Sequence, residues 1–129
     1  MRSPEEILRE TKSIALVGAS PDPDRPSHGV MAYLLRAGYR VVPVNPLAGE
    51  VLGQRCLSSL AELEEPVDLV DVFRRAEHCG EVAREAVAAG AGALWLQLGI
   101  ASAEARQVAE EAGIDYVENA CTAVVHRRI

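Results

Sequence analysis

The amino-acid sequence predicts a doubly wound α/β domain: one open, five-stranded parallel sheet with helices on both faces. Three observations predict it. Short apolar runs of strand length alternate with helical stretches, the pattern of βαβ units whose crossovers place helices on both sides of a parallel sheet. The first apolar run, Ser13 to Val17, stops at Gly18 and opens into a polar, proline-rich loop before the next helix. And 129 residues, 49% apolar and 25% charged, suffice for one domain, residues 1–129, with its own core.

Ser3-Pro4-Glu5-Glu6 reads as a helix start, with Ser as N-cap, Pro at the first helical position and acids in the first turn; this helix runs to about Glu10. Ser13 to Val17 is the first strand. The segment Ser20 to His28 carries three prolines and reads as loop throughout, with Ser27 where an N-cap belongs. From Gly29 to Ala37, Val30, Met31, Leu34 and Leu35 share one helical face, and Gly38 closes the helix. Arg40 to Asn45 is the second strand, where Pro43 indicates a bulge or an edge position. Leu47 to Arg55 is an irregular excursion, and Ser58 or Ser59 caps a short helix through Leu63. Val67 to Phe73 is the third strand, Glu77 to Ala89 a helix stopped by Gly90, and Ala93 to Gln97 the fourth strand. Ser102 caps a helix ending at Gly113. Asp115 to Glu118 is the fifth strand, with a short tail after it.

Composition excludes several function classes. The formal net charge is −6 and no basic run occurs, which argues against nucleic acid. No apolar stretch approaches the roughly 20 residues of a membrane span, and the N-terminus lacks the apolar core of a signal peptide. A cytoplasmic location is expected. Cys56, Cys79 and Cys121 are far apart, without zinc-site spacing. Asp68, Asp71 and Glu118 are spread along strands and make no catalytic pair, and His78 and His126 read as surface. Trp95 reads as core.

In an open α/β sheet, ligands bind beyond the carboxyl ends of the strands, at the switch point. That rule selects the loops after Val17, Val44, Phe73, Gln97 and Glu118. The glycine turn and helix start after Val17 suit an anionic, nucleotide-type ligand, because backbone N–H groups and the helix dipole favour negative charge there. The Rossmann-like NAD site needs G-x-G-x-x-G after the first strand and an acid near the end of the second. Here Gly18-Ala19-Ser20 lacks the second and third glycines, and Val44-Asn45-Pro46 carries no acid. A Walker A loop is absent too. The long loop holds Arg25 and can wrap a pyrophosphate. His28, beside it, reads as surface.

The ordered set Val17-Gly18-Ala19-Ser20, Val44-Asn45-Pro46, Val67-Asp68-Leu69-Val70 with Val72-Phe73-Arg74, and Trp95 to Gly99 resembles the coenzyme A-binding domain family. That family is similar to the N-terminal domain of the succinyl-CoA synthetase α subunit and of NDP-forming acyl-CoA synthetases. The resemblance spans essentially the whole chain. It implies that Gly18, Ala19 and Ser20 approach the CoA pyrophosphate through the backbone. Asn45 and Pro46 would flank the adenosine, Phe73 and Arg74 contact the nucleotide, and Leu98 and Gly99 lie beside pantetheine. Asn119 and Cys121 resemble the Asn-Cys after the last strand of the synthetases, with Ala120 intervening. The synthetase lysine past the strand-two proline is replaced by Leu47, Ala48 and Gly49, which leaves Arg25 or Arg74 for the 3′-phosphate.

The expected function is therefore a stand-alone protein binding CoA or an acyl-CoA, with no catalytic set of its own. The alternative is a CoA-binding component of a multi-chain synthetase or transferase, with a protein partner the sequence does not name. A third reading, a diverged NAD(P)-binding protein, has the missing glycines and acid against it. Cys121 is expected as a buried structural thiol; were it beside bound CoA, it would be placed for a mixed disulfide with the CoA thiol. Gly18→Val is expected to block backbone approach to the pyrophosphate while leaving the fold largely intact.

Overall fold

The computed structural model describes all 129 residues. In chain order the elements are α1 (Pro4–Glu10), β1 (Ser13–Val17), α2 (Pro26–Arg36), β2 (Arg40–Val44), β3 (Glu50–Val51), β4 (Gln54–Arg55), a 3₁₀ turn (Leu60–Glu62), β5 (Leu69–Val72), α3 (Ala76–Ala88), β6 (Ala93–Leu96), α4 (Ala103–Ala112), β7 (Asp115–Val117) and α5 (Thr122–Arg127). The main sheet has the order β2-β1-β5-β6-β7, and every pairing is parallel. The chain enters at β1, steps out to β2, then returns past β1 to β5 and continues the other way. The switch point therefore lies between β1 and β5.

The inner strands β1, β5 and β6 are buried on both faces, which is why they read as apolar runs rather than alternations. One core joins Ala15, Val70 and Leu94 of the sheet to Val82 and Ala86 of α3 and to Ala105 and Ala109 of α4. The opposite core joins Ile14, Leu16, Leu69 and Trp95 to Ile7 and Leu8 of α1, Met31 and Leu34 of α2, and Val125 of α5. The predicted caps form. The Ser3 hydroxyl accepts the Glu6 N–H at 3.1 Å while the Glu6 carboxylate accepts the Ser3 N–H at 3.0 Å. Ser102 caps α4, and Gly113 closes it in the left-handed region at φ 73°. Pro43 lies in the outermost strand of the main sheet. The pairing of β1 with β2 runs unbroken from Ser13 against Arg40 to Val17 against Val44, so the proline marks an edge and no bulge.

Four expectations are corrected. Helix α2 begins at Pro26, so the last three residues of the predicted loop are helical and Ser27 is no N-cap. Arg25 holds the cap position without a side-chain cap bond, and Pro26 starts the helix because its missing N–H would be unpartnered there anyway. The excursion after β2 contains a hairpin, β3 paired with β4, turning through Leu52 and Gly53 at positive φ. Its strands are too short for a periodic signal, yet Val51 is buried against the second core. The tail folds as α5. His126, read as surface, is half-buried there, with its Nδ1 2.8 Å from the Tyr33 hydroxyl and its ring edge-on to Tyr33 and Tyr39. No helix is long and apolar enough to cross a membrane.

Candidate functional site

A cleft of about 670 Å³ opens over the carboxyl ends of β1, β5 and β6. Its floor at the switch point is made by Gly18 and Phe73. The N–H of Gly18 bonds to the Val44 carbonyl at 3.0 Å, and the N–H of Phe73 to the Val17 carbonyl at 2.8 Å, so three strand ends are tied here. Gly18 has φ 90°, and a Cβ built on it would lie 2.4 Å from the Phe73 carbonyl oxygen. Both facts demand glycine for the fold itself. The expectation that Gly18→Val spares the fold is therefore corrected.

One wall of the cleft is the loop after β1 and the start of α2. Ala19, Ser20, Arg25 and Ser27 line it, joined by Pro26 and Val30. No acceptor within the protein takes the backbone N–H of Ala19, Ser20 or Ser27. The first turn of α2 carries no acidic residue, whereas α1, α3 and α4 each place at least one there. The first turn of α2 thus supplies no counter-charge of its own to the positive end of the helix, and Arg25 at its cap and Arg74 both line the cleft. This is the geometry of an anion site built from free N–H groups and a helix dipole.

The other half of the cleft is uncharged. Leu98, Ile100, Gln97 and Cys121 line it. Leu98 is 71% exposed, and Leu47, on the rim beyond β2, is 94% exposed. Large apolar side chains held open to solvent at both ends of one cleft suit a ligand with an apolar or aromatic group on each side of its charge.

Behind the uncharged half is a buried polar cluster. Asp71, in the middle of β5, has no exposed surface, and burial pushes its carboxyl up to about 7 despite the hydrogen bonds it accepts. Gln97 Nε2 donates to Asp71 Oδ1 and, at 3.0 Å, to Thr122 Oγ1, while the Thr122 hydroxyl donates to Asp71 Oδ2 at 3.0 Å. Thr122 is the first residue of α5, so this cluster pins that helix to the sheet beside the cleft. The indole N–H of the buried Trp95 adds a bond to the Ala120 carbonyl at 2.8 Å.

Of the residues singled out in the sequence, Gly18, Ala19, Ser20, Arg25, Ser27, Asn45, Phe73, Arg74 and Leu98 meet in the cleft. Asn45 has a structural task there: its side-chain amide donates to the Ala19 carbonyl at 2.7 Å and its Oδ1 accepts the Leu47 N–H at 2.8 Å, which fixes the anion loop against the end of β2. Pro46 is not in the cleft wall; it borders a smaller depression beside Ser58 and His78. Gly99 is outside the wall as well, and its N–H is taken by Asn119 Oδ1 at 2.7 Å. Asn119 itself is left-handed at φ 54°, a conformation asparagine tolerates. Cys121 is half-buried at the cap of α5 and faces the cleft, so the expected buried structural thiol is corrected. His28 is in the first turn of α2 and does not line the cleft. Pro26, Val30, Leu47, Gln97 and Ile100 are wall residues that sequence reasoning did not select.

A family model described as "CoA binding domain" matches residues 12–127. The chain belongs to this family. Among relatives of this CoA-binding-domain chain, the uncharacterized protein YneT of Bacillus subtilis is 43% identical over 122 residues, covering 95% of this chain and 90% of that protein. The ADP-forming acetate–CoA ligase I of Archaeoglobus fulgidus is 31% identical over 136 residues; the match covers 96% of this chain but only 20% of the ligase. Among solved structures, a Thermus thermophilus protein known as cell-free ID.343 superposes with a TM-score of 0.92 at 42% identity, covering 98% of both chains. The family likeness drawn from the strand-end motifs and the five-stranded Rossmann-like sheet both hold.

Proposed function

We propose that this chain binds coenzyme A or an acyl-CoA in the cleft over β1, β5 and β6, as a binding protein that acts without a catalytic set of its own. The observation that carries the reading is the division of the cleft into two zones. Free N–H groups of Ala19, Ser20 and Ser27, with Arg25 and Arg74, suit a pyrophosphate and a further phosphate. The uncharged zone at Leu98, Ile100 and Gln97 suits a pantetheine arm, and the Leu47 rim offers a surface for an adenine ring. NAD has no such arm, and the end of β2 offers Asn45, already engaged, where a ribose-binding acid would stand.

Calorimetric titration tests the reading. CoA is expected to bind at micromolar concentration or tighter, dephospho-CoA more weakly, and NAD not at all. Absence of CoA binding, or preference for NAD, overturns it. Arg25→Ala and Arg74→Ala are each expected to weaken CoA about tenfold, the size of one lost charge-assisted hydrogen bond, with the difference shrinking as salt rises. The arginine that reads the 3′-phosphate will show little loss against dephospho-CoA.

A second reading is favoured by the match to one fifth of the Archaeoglobus ligase: this chain supplies the CoA site to a separate nucleotide-binding chain. Under that reading the protein isolated from its own cells carries such a chain in constant ratio.

A further inference from the structure

The side chain of Gln97 is 4% exposed, and its amide is used unevenly. Both hydrogens of Nε2 are committed, one to Asp71 and one to Thr122. Oε1 accepts nothing within the protein, yet no buried side-chain oxygen or nitrogen is left without a partner. Oε1 must therefore reach the surface, and the surface Gln97 belongs to is the cleft. The orientation is dictated by chemistry: a carboxylate and a hydroxyl already donating to that carboxylate both call for a donor, so the NH₂ faces inward and the carbonyl outward.

We infer that Gln97 is the specificity-determining residue for the uncharged arm of the ligand: its Oε1 accepts a hydrogen bond from an amide N–H or the hydroxyl of pantetheine, with Asp71 and Thr122 as positioning residues. The inference rests on the CoA reading above. The uncharged zone where Gln97 lies is the half in which an arm leaving the anion site at α2 would run, past Leu98 and Ile100. In CoA, pantetheine offers three kinds of donor: amide N–H, a secondary hydroxyl and thiol S–H. The amide and the hydroxyl are far stronger donors than the thiol, and a fixed, nearly buried carbonyl oxygen suits either. A ligand without a donor at that point would cover Oε1 and leave it unpartnered, which is how a single buried acceptor discriminates strongly.

The test is calorimetric titration of wild type and Gln97→Met with three ligands: CoA, S-methyl-CoA, and adenosine 3′,5′-bisphosphate, which keeps adenosine and 3′-phosphate but has no arm. The variant is expected to bind CoA and S-methyl-CoA at least about tenfold more weakly than wild type and the bisphosphate within twofold. Unchanged CoA affinity overturns the inference. So does an equal loss on all three ligands, which marks a distorted cleft, and a loss seen with CoA alone, which assigns the donor to the thiol. Failure of the wild type to bind CoA overturns the function reading instead, and is read from a different protein sample. Removing Gln97 strips a donor from a buried carboxylate. If Gln97→Met does not fold, the same titrations compare Asp71→Asn with Asp71→Asn/Gln97→Met, where no charge is left unpaired. Thr122→Val, which frees the amide to turn, is expected to weaken CoA several-fold with the bisphosphate unchanged, and Thr122→Ser to restore it.

Discussion

Gly18→Ala destabilises this domain by about 3 kcal/mol or more and lowers its urea midpoint accordingly. Two costs act together. The added Cβ would stand 2.4 Å from the Phe73 carbonyl oxygen, well inside van der Waals contact, and that oxygen belongs to backbone held by the sheet. The residue also has φ 90°, where an L side chain is strained by roughly 1–2 kcal/mol. The junction has little room to relax, because the N–H groups of Gly18 and Phe73 tie β1 to β2 and β5 on either side. Against a whole-domain stability of about 5–15 kcal/mol, the loss is large. Chemical unfolding of wild type and variant decides it: a midpoint unchanged within error would mean that the switch-point turn opens freely. Affinity measured on this variant reports the fold as well as the site, so Arg25 and Arg74 are the better probes of binding.

Asp71→Asn produces the second large effect, and its size depends on pH. Burial pushes the Asp71 carboxyl up to about 7, against 3.8 for the free side chain. Below pH 4 the group is protonated in both the folded and unfolded chain and contributes no pH dependence. Between about 4 and 7 the folded chain holds the proton that the unfolded chain has released. Stability therefore falls as pH rises through this window, and above 7 the full cost of burying the charge, about 4 kcal/mol, is present. Asparagine removes that cost. Like the protonated acid, it offers a carbonyl oxygen to Gln97 and a donor towards Thr122, so it matches the neutral Asp71 in hydrogen bonding. The two stability curves are expected to diverge: the proteins are nearly equal near pH 4, and Asp71→Asn is the stronger by about 4 kcal/mol at pH 8–9. Urea unfolding across pH 4–9 measures both, and the difference between them isolates Asp71 from other titrating groups. Parallel curves would show that Asp71 ionises in the fold as it does in solution. A protonated Asp71 still offers a carbonyl oxygen to Gln97, so the outward orientation of the Gln97 carbonyl survives on both sides of the transition.

Much of this architecture is legible locally. The run Ser13 to Val17 needs both faces covered, Ser3 and Ser102 cap the helices that begin immediately after them, and Gly113 suits only a left-handed helix end; all three are properties of a few adjacent residues. The elements that escaped are those whose stability comes from elsewhere. Helix α5 is six residues of mostly β-branched and polar character, and it holds because Val125 is buried in the core and Thr122 is bonded to Asp71 and Gln97. The β3–β4 hairpin is anchored by Val51. The start of α2 lies earlier than its local signal because Ser27 carries the capping chemistry, while the chain caps with Arg25, starts the helix at Pro26 and turns Ser27 into the cleft.

For the site, the sequence alone selected the carboxyl ends of the strands as the candidate ligand site, showed that the dinucleotide glycines and acid are missing, and brought Gly18, Arg25, Phe73 and Arg74 into one group. Those are consequences of strand order and of short motifs at strand ends. Only the tertiary structure decided what each residue is free to do. It showed Asn45, expected to flank the adenosine, bonded to the loop after β1, Gly99 tied to Asn119, and Gly18 required by the carbonyl of Phe73, far along the chain. It also brought together Asp71, Gln97 and Thr122, which no local pattern connects. Hydrogen-bond satisfaction is a property of space: a donor committed to one neighbour is lost to every other, and that count closes only when the whole chain is folded.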